Sequence, residues 1–486
     1  MKNTILLASL IVPCLSLGFV SDNFISLTEA TLDQLIRAQN SIELEQLIPT
    51  LPVELRLNFV LKHGIKRVGE RGHLIEKKVS QSADPLLPRA ILWNESTGFS
   101  LSFNGGGATQ TAPQRLDVLS FSQDTKTFRL SQVDFPLTEA QINDRAHSVV
   151  KADASCAECH GSRQRPIFAM YPDWPAFYGS DNDELNNPKV ANQHAELGDY
   201  RNFKNNVASK HPRYSPLFEE TLIQSNYGIK IWETYPLRPN TSEEARNVSR
   251  SFAFRPGLRL GIVYNRLNAQ SVFKTMKDHP NYEKFAVLTL HSLLQCNWNA
   301  SMPKTRAAVS EMVKSVSPTA PQWVGNDSLQ LHYHQIWNLY GMKINDVDIR
   351  YSYNHEGYAN IDSSKRIMEP GYIGRYFNSY FDGSATIDEL IIAKLLTDLT
   401  PKFLSLKNAY RLRGLTEKYQ HLSDRFRYDE KTFRNFDKLG LWFAMPYAKE
   451  VFAQQHRESF TTEMKQQHEA LCAKTAEILK QQVFGK

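Results

Sequence analysis

Ser155-Cys156-Ala157-Glu158-Cys159-His160-Gly161 sets two thiols three positions apart and an imidazole directly after the second. Cys-x-x-Cys-His is the arrangement that attaches a c-type haem: the thiols add across the two porphyrin vinyl groups and the histidine becomes an axial iron ligand. The spacing has a physical reason. Two intervening residues let both sulfurs reach vinyls along one porphyrin edge, and the next residue places an imidazole under the metal. Other uses of these residue types find less support. Zinc wants a second Cys or His pair at ligand spacing, which neither Cys296 nor Cys472 supplies. A thioredoxin-like redox pair wants a strand before it and a helix after it in a βαβ unit, a context missing here.

By these residues the segment resembles the c-type cytochromes, over the motif and its flanks rather than the whole chain. The resemblance implies one covalent haem c, with Cys156 and Cys159 as the thioether residues and His160 as the axial ligand. It also implies attachment outside the cytoplasm. The proline- and aromatic-rich run from Arg163 to Gly179 looks like one in large bacterial proteins with a single haem, an association that names no activity. Its prolines dictate an extended path, and its rings can seal a porphyrin edge or simply complete a core. Arg163 and Arg165 can pair with haem propionates, because guanidinium meets carboxylate as a fork.

The sixth iron ligand departs from the small electron carriers, which supply a methionine some tens of residues after the motif. Here Met170 follows only ten residues after His160, and the next methionine is Met276. His194 and His211 lie between them, and His147 lies just upstream. A bis-histidine iron, a Met170 ligand through a tight loop and an open position all remain in play. Each of these histidines also has an ordinary surface or hydrogen-bonded role open to it.

The N-terminus reads as a signal for export. Lys2 is the positive head, Ile5 to Val12 is an apolar run far short of the roughly 20 residues that span a bilayer, and small residues follow. A cut after Gly18 fits the small-x-small rule, which makes residues 1–18 a signal peptide and the mature chain periplasmic or secreted. Lipid anchoring at Cys14 is disfavoured by the preceding Pro13. Of five cysteines, that leaves Cys296 and Cys472, which in an oxidising compartment either bridge or stay as two buried thiols.

Composition narrows the classes. The chain has 486 residues, 41% hydrophobic and 22% charged, which is neither disordered, collagenous nor a small disulfide scaffold. A net charge of +6, spread without a dense basic stripe, gives no nucleic-acid footprint. Every apolar run after the N-terminus is broken by charge, which predicts no membrane span. No Gly-x-Ser-x-Gly, Walker-type loop or His-Glu-x-x-His supports hydrolase or nucleotide chemistry. His332-Tyr333-His334 falls in a helical context that points its histidines apart, and Asp181 to Glu184 lacks the glycine and distant glutamate of a calcium loop.

The elements that must position the motif follow from periodicity. Residues 19–88 read as helical, with Leu32, Leu35 and Ile36, then Leu44, Leu47 and Ile48, then Leu55, Phe59 and Val60 at helical spacing. Residues 89–139 read as an antiparallel meander of three to four strands: Ala90 to Trp93, Phe99 to Phe103, Arg115 to Phe121 and Thr127 to Phe135. Residues 140–230 are the haem-binding region, opening on a short helix from Ala140 to Val150. Residues 231–486 are helical, with segments at Thr241 to Phe252, Asn265 to Lys277, Asn281 to Cys296, Lys304 to Val316, Ser328 to Tyr340 and Ser459 to Gln482. Thr386 and Glu389 form a capping box ahead of another helix, and Tyr351 to Gly383 reads as irregular.

The expected fold is therefore α+β and predominantly α, around one haem. The first functional expectation is electron transfer with a redox partner protein. An oxidoreductase or sensor with an open iron position, taking a small-molecule ligand, is the second, and a haem-bearing docking scaffold the third. The length favours the second mildly, because an electron carrier needs about one domain around its haem.

Overall fold

A computed structural model describes residues 27–63, 66–68, 74–76, 83, 85–94, 96–152, 160, 163–166, 202–219, 254–294, 296, 302–317, 319, 321, 331, 333–347, 387–403 and 458–485. The fold is α+β and predominantly α, built on one six-stranded antiparallel sheet.

Three short helices open it: α1 (Glu29–Ala38), α2 (Leu44–Leu47) and α3 (Val53–Leu57). Thr28 caps α1 by accepting from the Thr31 amide while the Thr31 hydroxyl serves the Thr28 amide, which satisfies two end donors reciprocally. Their apolar stripes, among them Leu32, Ile36, Leu47 and Leu55, are buried against one face of the sheet.

The helical reading of Leu55, Phe59 and Val60 ran too far. α3 ends at Leu57, Asn58 leaves helical geometry, and Phe59–Lys62 is strand β1. All four β1 residues are buried, so the local pattern shows neither helical nor alternating polarity, and pairing with a distant strand decides.

A hairpin of β2 (Lys66–Val68) and β3 (Leu74–Glu76) follows. The meander then runs as read from the sequence: β4 (Arg89–Trp93), β5 (Ser100–Phe103), β6 (Arg115–Ser122) and β7 (Thr127–Asp134). β1 pairs with β4 at one edge, and β8 (Lys151–Ala152) pairs with β7 at the other, which gives the order β1-β4-β5-β6-β7-β8. Helix α4 (Glu139–Asn143) is shorter than the expected Ala140 to Val150 because Asp144 turns extended.

Residues 203–218 belong to the core that α1–α3 share with the sheet, through Phe203, Ala208, Tyr214 and Leu217. Arg213 pins them there. It is 1% exposed and donates to Glu45, to the Asn104 and Pro113 carbonyls and to Gln114. Matching its donors offsets most of the desolvation cost of burying this guanidinium.

The opposite sheet face buries Val60, Ile91, Trp93, Leu119, Phe128 and Leu130, which alternate with the first core's residues along each strand. Helix α5 (Phe254–Asp278) lies over it. Tyr264 on α5 stacks at 6.5 Å from Phe128, and its hydroxyl donates to the Gly98 carbonyl at 3.0 Å. At 100° per residue, Leu260, Tyr264 and Leu267 share one side of α5 and Ala269, Val272 and Met276 the other. The second side joins a separate helical core. That core comprises α6 (Tyr282–Leu293), α7 (Pro303–Lys314), α8 (Tyr333–Asn338), α9 (Ile344–Val347), α10 (Ile387–Phe403) and α11 (Glu458–Phe484). One helix is thus sandwiched between the sheet and the helical body.

A disulfide joins Cys296, just beyond α6, to Cys472 on α11. The Cys296 amide donates to the His291 carbonyl, and the His291 ring meets the Thr475 hydroxyl at 2.7 Å, so the same two elements are also hydrogen-bonded beside the bridge. The expected helix at Thr241 to Phe252, the residues 1–18, the Tyr351 to Gly383 stretch and the cap residue Thr386 lie outside the described residues.

Candidate functional site

In the sequence the motif follows closely on the last strand of the sheet. β8 pairs Lys151 with Gln132 and Ala152 with Ser131, and the motif begins four residues later. Cys156 and Cys159 lie outside the described residues, as do Met170 and His194. His160, Arg163, Gln164 and Arg165 are described, and the site is built from them.

His160 is partly buried. Its Nδ1 lies 2.6 Å from the carbonyl oxygen of Arg165. A carbonyl can only accept, so Nδ1 carries the proton and Nε2 is left with its lone pair. Burial pushes the imidazole down to about 4, helped by the Arg165 and Arg89 charges and opposed by the Arg165 carbonyl and Asp117. Neutral imidazole with a free Nε2 is the form that binds a metal.

Gln164, Arg163 and Arg165 each anchor this turn. Gln164 Oε1 accepts from the Leu130 amide on β7 at 2.9 Å. Arg163 donates to the Thr275 hydroxyl on α5. Arg165 is 2% exposed, and its guanidinium donates to the Pro166 carbonyl at 3.3 Å. The sequence suggested Arg163 and Arg165 as cationic partners and attached no role to Gln164. Nothing near Gln164 could reveal one, since its partner is 34 residues earlier on another element.

The sheet face toward α5 adds a polar patch whose charges act on His160. Arg89 on β4 pairs with Asp117 on β6 and donates to Ser102 on β5 at 2.6 Å. The three strands bring these residues together because all three point to one face. No periodicity in the sequence marks them as a group.

His147 and His211 are not brought to His160. His147 is exposed, its ring nitrogen meets Asp144 at 2.9 Å, and its carbonyl accepts from Arg37 on α1. His211 lies 4.9 Å from the Tyr214 ring in the α1–α3 layer, and its Nδ1 accepts from the Arg213 amide, which leaves the proton on Nε2. Both are tied to the layer on the far side of the sheet from α5. His334 lies on α8, while His332 and the stretch Asp181 to Glu184 are outside the described residues.

Among the described residues no group of three or more His, Cys, Asp or Glu side chains is placed to hold a metal ion. A haem would need only one such protein ligand here. The donors fit it: a histidine in the metal-binding tautomer, directly preceded by two thiols at vinyl spacing and followed by two arginines. Among the described residues no helix is long and apolar enough to cross a membrane. The chain matches no protein-family model, no curated protein and no solved structure.

Proposed function

We propose that this chain is an exported c-type cytochrome that carries one covalent haem on Cys156 and Cys159, with His160 as axial ligand, and transfers single electrons. The observation that carries the reading is the His160 Nδ1–H bond to the Arg165 carbonyl, which presents Nε2 as a donor immediately after a Cys-x-x-Cys pair. A ligand histidine that donates its other N–H to a backbone carbonyl is held in one tautomer and one ring plane. The Cys296–Cys472 disulfide supports the compartment, since such bridges persist where the surroundings are oxidising.

Bound there, the haem would supply a one-electron Fe(III)/Fe(II) couple. The chain's own residues do the rest. Arg165, buried beside the ligand, keeps positive charge close to the ring. The Arg89–Asp117 pair adds one charge of each sign whose effects on the His160 ring oppose one another.

A second reading keeps an open iron position for a small ligand, as in a haem enzyme or sensor. It is favoured by the placement of His147 and His211, two of the four candidate sixth ligands, in the layer across the sheet. Visible and EPR spectra of the purified ferric protein decide between the two. A low-spin signal indifferent to cyanide is expected for electron transfer, and a high-spin signal that cyanide shifts supports the open site. A protein that loses its haem on a denaturing gel overturns both.

A further inference from the structure

Arg163 and Gln164 follow His160 by three and four residues, and they reach different layers of the fold. Gln164 accepts from the Leu130 amide at 2.9 Å, and that amide lies on β7 one residue beyond Ser131, the last residue paired with β8. A side-chain carbonyl therefore serves the sheet edge where the neighbouring strand stops. Arg163 is tied to Thr275 on α5. The peptide between Arg165 and Pro166, one unit on from Gln164, carries the Arg165 carbonyl that orients the His160 ring.

We propose that Gln164 is a positioning residue for His160: its bond to Leu130 references the plane of the imidazole to the sheet. The inference rests on the haem reading. A ring oriented through one carbonyl is only as well placed as the peptide bearing that carbonyl. Here the peptide is anchored one residue away to β7, which pairs along its whole length with β6. Losing the acceptor leaves an edge amide without its partner and lets the Arg165 peptide turn. The thioethers would still hold the haem, because neither cysteine takes part in the Gln164 bond. What changes is the angle and spread of the axial imidazole, which the iron's electronic structure reports.

The test uses the full haem-bearing protein and the variants Gln164→Leu and Gln164→Glu. Leucine removes the acceptor at similar volume, while glutamate keeps an acceptor at the same reach. Gln164→Leu is expected to carry as much covalent haem as the parent, with a broadened ferric EPR signal and a shifted reduction potential. Gln164→Glu is expected to return the narrow parental line shape. Should Gln164→Leu fail to fold, Gln164→Asn, polar but one methylene short of Leu130, reads the same line shape. A parental EPR signal in the leucine or asparagine variant overturns the inference alone, as does a glutamate variant as broad as the leucine one. A parent protein without haem overturns the haem reading, and the inference falls with it.

Discussion

The hydroxyl of Tyr264 donates to the carbonyl of Gly98 across 3.0 Å, and this bond joins α5 to the turn between β4 and β5. Gly98 has a φ of +68°, and a Cβ there would sit 2.0 Å from Leu267 Cδ1. The left-handed backbone strains any side chain there, and Leu267 would have to shift to admit one. Gly98→Ala should therefore destabilise the protein by about 2 kcal/mol or more, from backbone strain and overpacking together. Thermal unfolding measures it, and an unchanged midpoint would show that the seam between sheet and α5 tolerates displacement.

Removing the cysteines separates covalent haem from every other reading of the motif. With Cys156→Ala and Cys159→Ala combined, the haem should be extractable by acid solvent, whereas the parent should retain it. Cys159→Ala alone leaves one vinyl group conjugated to the porphyrin, so the reduced visible band should move to longer wavelength. A metal-only site predicts no such band in any of the variants.

The Cys296–Cys472 bridge closes a separation of 176 residues. In the chain-entropy model such a loop is worth on the order of 5 kcal/mol. Replacing both cysteines by serine should lower the denaturant midpoint sharply and loosen α11 first. Equal midpoints for the bridged protein and the double variant would mean that helix packing alone holds α11.

Asp33 gives the fold an acid limit. Burial alone would raise its carboxyl, but the Arg37 hydrogen bond, the Val149 amide and the Ser148 hydroxyl together hold it below its usual value of 3.8. A group depressed in the folded state stabilises above its unfolded value and loses that contribution as pH falls through the folded one. Asp33→Asn should cost about 1–2 kcal/mol at pH 7, the worth of hydrogen bonds to a charged group. The gap between variant and parent should close below pH 3.8. Denaturation at both pH values tests this, and a gap independent of pH would assign the loss to something other than the carboxylate.

Local sequence determined the candidate chemistry and most of the elements. Cys156, Cys159 and His160 fall within five consecutive residues, so their spacing is a covalent property that needs no fold to be read. The same holds for the four meander strands and for the helices that became α6, α7 and α11, whose periods are written within single segments. Tertiary structure alone decided what depends on residues far apart in the chain. β1 became a strand because β4 offered it hydrogen bonds, not because Phe59 to Lys62 shows an alternating pattern. Arg89, Ser102 and Asp117 met only when three strands aligned. Gln164 gained a partner on β7, while His147 and His211 went to the layer across the sheet. Spacing along the chain specifies bonds within one segment, whereas the plane of the His160 ring depends on pairings that exist only once the sheet has formed.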